Sequence, residues 1–201
     1  MKNLLQSFFW GVISACMALI LQIFSIIFFP DLNNSNFLQK HLVFVMLLFV
    51  FWEESVKYLI ALFKIIPLSV NPKSIVFNSL FAGIGFATIE TTILWQKELS
   101  ENFFPSNADL TGIILIHILT FTLIGQGLIL FNKKSPFLKL PFIITPPIIL
   151  HLAYNLCAIY LSQIHFVLSA RLSVIAILII FNFVYFTIIV NKGFPQQVDG
   201  Y

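Results

Sequence analysis

The chain reads as long apolar stretches separated by short polar punctuation. Six stretches, at about 8–29, 41–66, 75–95, 110–131, 139–161 and 168–190, are each near the ~20 residues that a helix needs to cross the ~30 Å hydrocarbon core of a bilayer. Each is apolar all round rather than striped, the pattern of a helix embedded in lipid and not of one lying on a water-soluble core. The connections carry turn formers: Pro30-Asp31 and Asn33-Asn34, then the segments 67–72, 105–109 and 132–136. After Asn191 the chain turns polar, with Gly193, Pro195, Gln196 and Gln197. The fold class expected is all-α, a polytopic bundle of six membrane-spanning helices forming one integral membrane domain over 1–201.

Composition agrees. Charged residues are 9% of the chain and hydrophobic ones 59%, with 24 phenylalanines, against about 25% charged in a soluble domain. A net charge of +3 carried by scattered lysines gives no basic footprint for nucleic acid. Cys16 and Cys157 both fall in apolar runs and suggest no disulfide framework. The stretch Ile13-Ser14-Ala15-Cys16 has the look of a lipoprotein cleavage box, but the apolar run continues about a dozen residues beyond it, which favours a retained helix. Lysine and arginine placement sets the expected orientation. With the N-terminus in the cytoplasm, Lys2, Lys64, Lys73, Lys133, Lys134, Lys139 and Lys192 lie inside, and only Lys40, Lys97 and Arg171 outside. Both termini are then cytoplasmic.

Against this background a few residues stand out. Glu53, Glu54, Lys57, Glu90, His117, His151 and Asn155 all fall within the spans. A charge at mid-membrane costs about 2.5–3.5 kcal/mol, so three glutamates and a lysine left unpaired would cost about 10–14 kcal/mol, comparable to the whole stability of a domain. Such groups must pair or line a wet cavity. Lys57 lies three and four residues after Glu54 and Glu53, within reach of either carboxylate. Gly83, Phe86 and Glu90 form one helical stripe, and Gly83 and Gly85 allow a close helix neighbour. His151 and Asn155 lie one turn apart, behind Pro146 and Pro147, which are expected to kink or break their helix and free carbonyls beside His151. At 1.5 Å per residue, Glu90, His117 and Asn155 sit roughly 8–11 Å deep and Glu53, Glu54 and His151 roughly 15–20 Å. Four helices therefore have the means to bring these groups together in the outer half of the membrane. Taken singly, each group also has a plain structural reading, as an interhelical ion pair or as hydrogen-bonding glue; His41 and His165 are read as incidental.

Four short motifs carry a family resemblance. Trp52-Glu53-Glu54-Ser55-Val56-Lys57 resembles the EExxK motif of the PrsW family of intramembrane proteases. Gly83-Ile84-Gly85-Phe86-Ala87-Thr88-Ile89-Glu90 is similar to its FxxxE motif. His117 stands where the family has a lone histidine, and His151-Leu152-Ala153-Tyr154-Asn155 resembles its fourth motif. The match spans 53–155, within a motif-bearing core at 41–161. Lys57 and Glu90 set the chain apart from the related CAAX prenyl endopeptidases, which usually have EExxxR and a histidine at the second site. Asn155 replaces a common aspartate. The resemblance implies hydrolysis of peptide bonds in membrane-anchored proteins, anti-sigma-factor-like regulators among them, in a bacterial cytoplasmic membrane. In that reading Glu53 or Glu54, with His117, activates water, Lys57 holds the carboxylates, and His151 and Asn155 stabilise the oxyanion. A second version has His117, His151 and a glutamate holding zinc; metal-free acid–base catalysis is favoured. The alternatives from other classes are a non-catalytic membrane scaffold and a proton-coupled carrier. Substrate, cleavage site and oligomeric state are not legible.

Overall fold

The structure is a computed structural model that describes residues 2–100, 107–131, 136–160 and 167–191. His165 and the polar tail after Asn191 fall outside these, as do Lys133 and Lys134. Every described element is helical. In lipid, backbone N–H and C=O groups have no water to bond, and a helix satisfies them within one segment.

Helix α1 runs Lys2–Phe28. A 3-10 turn, Pro30–Asn33, leads to the short α2, Ser35–Lys40, capped by Asn34, whose side chain accepts from the Asn36 amide at 2.9 Å. Helix α3, Leu42–Ile60, passes through a π turn at Ala61–Ile65 into α4, Ile66–Leu68, so the helical path is unbroken from 42 to 68. Helix α5, Pro72–Ser100, starts on a reciprocal cap in which the Ser74 amide donates to Asn71 Oδ1 and the Asn71 amide to Ser74 Oγ, with Pro72 in the first turn. Then follow α6, Asn107–Leu130, α7, Pro136–Tyr160, and α8, Val167–Asn191.

The six long helices correspond to the six expected spans, with shifted ends. Residues 107–109 and 136, read as connection, are helical, α7 starts three residues before its expected span, and α1 begins six residues before its apolar run. Polarity marks where lipid ends, whereas a helix continues as long as its backbone bonds do. Helix α7 is also continuous through Pro141, Pro146 and Pro147, so the expected break is not there. A proline disturbs the carbonyl four residues back, which places the carbonyls affected by 146 and 147 at Phe142 and Ile143, two turns short of His151.

Helix α5 packs between α1 and α6, α3 lies against α1, α6 and α7, and α8 closes the far side against α6 and α7. Glycines set the closest approaches. A Cβ on Gly11 or Gly85 would strike the backbone of Ala82 or Phe8 across the α1–α5 contact, and one on Gly83 the backbone of Ile118 on α6. The main core joins Ala15, Val56, Ile65, Ala82, Phe86, Phe121 and Ile143, and a second cluster joins Ile116, Tyr154, Val174 and Leu178. The periphery is apolar too: Phe28 is 73% exposed and Phe183 69%. Among the described residues five helices are long and apolar enough to cross a membrane, and the sixth long one, α3, carries Glu53, Glu54 and Lys57.

Candidate functional site

Helical periodicity puts Glu53, Glu54 and Lys57 on the buried side of α3, while Phe44, Leu47, Phe51, Leu59 and Phe63 are exposed. Lys57 is fully buried, and an ammonium has three N–H donors to place. It places all three. Nζ donates to Glu54 Oε1 at 2.7 Å, to His117 Nδ1 at 2.9 Å and to Thr120 Oγ1 at 3.0 Å. It also sits 4.5 Å from the centre of the Phe86 ring, a favourable cation–π distance. One side chain thus ties α3 to α5 and α6.

The histidine tautomers follow from these partners. Because Lys57 donates to Nδ1 of His117, the ring proton is on Nε2, which donates to Glu90 Oε2 at 2.6 Å. Glu90, on α5, is the open member of the group, with its side chain 26% exposed. His151 approaches from α7 and donates from Nδ1 to Glu54 Oε1 at 2.7 Å. Its Nε2 then carries a lone pair, and it faces Glu53 Oε2 at 3.6 Å. That oxygen and Glu54 Oε2 are buried without a hydrogen-bond partner. The two imidazoles meet edge to face, 5.0 Å between centres.

Six of the seven residues singled out from the sequence therefore form one connected group drawn from α3, α5, α6 and α7. Asn155 does not join it; it is half-buried on α7, one turn beyond His151. Three partners escape a reading of sequence. Thr120 completes the Lys57 shell. Gln22 of α1 donates from Nε2 to Glu53 Oε1 at 2.8 Å. Ser25, one turn further along α1, accepts from Trp52 Nε1 at 2.9 Å. A glutamine or serine alone in an aliphatic helix has no motif spacing to flag it; the signal available was only that each is a polar residue inside a span.

The facing pair of Glu53 Oε2 and His151 Nε2 has a chemical consequence. With Glu53 ionised, both atoms are acceptors, and at 3.6 Å apart they are too close to hold a donor between them but can share one lying to the side. A water molecule donating one hydrogen to each is such a donor, and it would lie against a carboxylate able to take its proton.

Zinc is the other candidate for the same space. Glu53, His117 and His151 each offer one atom, all within 4.8 Å of one another. A zinc ligand must present a lone pair. His151 does so at Nε2. His117 does not, since its one lone pair is taken by the Lys57 ammonium and its other nitrogen carries the proton donated to Glu90. The residues fit zinc poorly, and His117 is the misfit.

No family model, curated protein or solved structure matches the chain.

Proposed function

We propose that this protein is an intramembrane endopeptidase of the PrsW type, cleaving membrane-anchored proteins with a water molecule activated by Glu53. The observation that carries the reading is Glu53 Oε2, buried without a hydrogen-bond partner and facing His151 Nε2 at 3.6 Å, at the meeting point of the four motifs.

The chemistry divides the two adjacent glutamates. Glu54 is the anchor: one oxygen accepts from both Lys57 and His151, fixing the rotamer of each. Glu53 is the base. Its Oε1 is held, its Oε2 faces the water position, and it takes a proton as the water oxygen attacks the scissile carbonyl carbon. The same carboxyl then returns that proton to the departing amide nitrogen as the C–N bond breaks, so protons balance within one group. Asn155 has an amide uncommitted to the cluster and stands on the His151 face of α7, the position for a donor to the oxyanion. Glu90 and His117 form a second acid–base pair, 2.6 Å apart, with Glu90 on the open side of the cluster.

The substrate is a single-pass or otherwise membrane-anchored protein whose scissile bond enters the outer half of the bilayer. New N-termini across the membrane proteome are compared between cells expressing the native chain and cells expressing a Glu53→Gln or His117→Ala variant at matched levels. Cleavage products in or beside single-pass helices that occur only with the native chain support the reading. Identical profiles, with each variant present and folded, overturn it and leave the cluster as an interhelical lock.

A further inference from the structure

We infer that Gln22, on the first helix, is a positioning residue for the proposed base, and that α1 is therefore part of the active site and not a bare membrane anchor. The inference rests on the proteolytic reading above.

Glu53 has two oxygens in a buried setting, and which of them faces His151 depends on the side-chain torsions. Nothing on α3 fixes them: Lys57 spends its three donors on Glu54, His117 and Thr120, and none on Glu53. The restraint comes from another helix. Gln22 Nε2 donates to Glu53 Oε1 at 2.8 Å, leaving Oε2 turned toward His151 Nε2. Without that donor the carboxylate has two equivalent buried oxygens and no preference for either.

A neighbouring bond joins the same two helices without reaching Glu53. Ser25 lies three residues on, along the same face of α1, and takes the indole N–H of Trp52 at 2.9 Å, while its own hydroxyl donates to the Leu21 carbonyl. Consecutive residues of α3, Trp52 and Glu53, are thus clipped to consecutive turns of α1. The helix that carries these clips is held against α5 by backbone-close contacts at Gly11 and Gly85. Residue 22 therefore sits on a helix whose own placement does not depend on its bond to Glu53, which is what a hydrogen bond needs if it is to orient a base.

The test uses the full-length chain in detergent, with a single-pass protein recovered from the N-terminal comparison as substrate. Gln22→Leu keeps the volume and removes the donor. Ser25→Ala breaks the neighbouring α1–α3 bond without touching Glu53 and serves as the matched control. The expected result is a fall in kcat of about 10- to 100-fold for Gln22→Leu with KM within about twofold of native, a loss of the size that an ångström of misplacement produces. Ser25→Ala stays within about threefold in kcat. Gln22→Glu, which sets a second carboxylate against Glu53, falls below Gln22→Leu. Equal activity of Gln22→Leu and native enzyme overturns the inference, as does an equal drop in both α1 variants, which would mark α1 as packing alone. A native chain that cleaves nothing overturns the proteolytic reading itself, a result distinct from either.

Discussion

At the scale of single residues the cluster poses an electrostatic problem that the chain solves with one lysine. Lys57 and Glu54 are both wholly buried and joined at 2.7 Å, with His151 on the same carboxylate oxygen. A buried pair is weak support for stability as a pair, because desolvation offsets the attraction, but removing one partner strands the other. Lys57→Met should therefore destabilise the protein by about 3–5 kcal/mol, the usual cost of an uncompensated buried charge. Adding Glu54→Gln to that variant should restore much of the loss, since the stranded charge goes with it, while activity stays absent in both. Denaturant titration in detergent micelles measures the first effect and the cleavage assay the second. If Lys57→Met unfolds at the native midpoint, Glu54 is not held by the ammonium and its role as anchor falls. The spacing of Glu54 and Lys57 made this pair legible in the sequence, because both lie on one helix. What lay beyond reach was the choice between Glu53 and Glu54. In the proposed mechanism that choice rests on Gln22 and His151, which stand 31 residues before and 98 after Glu53, on other helices.

Among the helices, close approach at a few glycines decides how the site residues meet. Gly85 lies five residues before Glu90 on α5, and its missing Cβ makes room for the Phe8 carbonyl of α1. Gly127 on α6 differs in kind: the nearest atoms to a methyl there would be side-chain carbons of Ile143, at 3.1, 3.3 and 3.5 Å. Backbone cannot step aside as a side chain can. Gly85→Ala should cost about 1–3 kcal/mol, as overpacking does, and should reduce cleavage as α1 moves away from α3 and α5. Gly127→Ala should cost less than about 1 kcal/mol and leave cleavage near native. Thermal unfolding of the two variants side by side checks the order, and a Gly127→Ala variant less stable than Gly85→Ala would reverse it. The glycines before Glu90 were readable as packing positions, but their partner was not, since no local pattern says that Gly85 meets α1 while Gly83, two residues earlier and turned away by 200°, meets α6. The prolines misled in a related way. Pro146 and Pro147 each remove one backbone donor, a loss that neighbouring helices and local adjustment absorb inside a bundle, and α7 stays helical through both.

For the molecule as a whole, the arrangement turns on whether α3 crosses the membrane. Five of the described helices qualify by length and apolarity, and α3 is set apart by the very residues that make the candidate site. From Leu42 to Leu68 its path is about 40 Å long at 1.5 Å per residue, more than a ~30 Å hydrocarbon core demands. The charge that disqualifies it by composition is buried: Glu54 and Lys57 are 0% exposed and Glu53 7%, while the exposed positions from 42 to 63 are the apolar Val43, Phe44, Leu47, Phe51, Leu59 and Phe63. The insertion cost of these charges is therefore offset inside the bundle, by pairing with His117, His151, Thr120 and Gln22. An average over a window sees only the charges, whereas the bilayer sees only the exposed face. If α3 spans, the number of crossings is even, the two termini share a side, and the lysine distribution makes that side the cytoplasm. A reporter fluorescent only in the cytoplasm, fused in turn to the N-terminus and behind Tyr201, should light up in both positions. An alkaline phosphatase fused at the same two points should stay inactive. Opposite signals from the two ends would mean an odd number of crossings; α3 would then lie in the interface, and Glu53 and Glu54 could not reach His151 at mid-membrane.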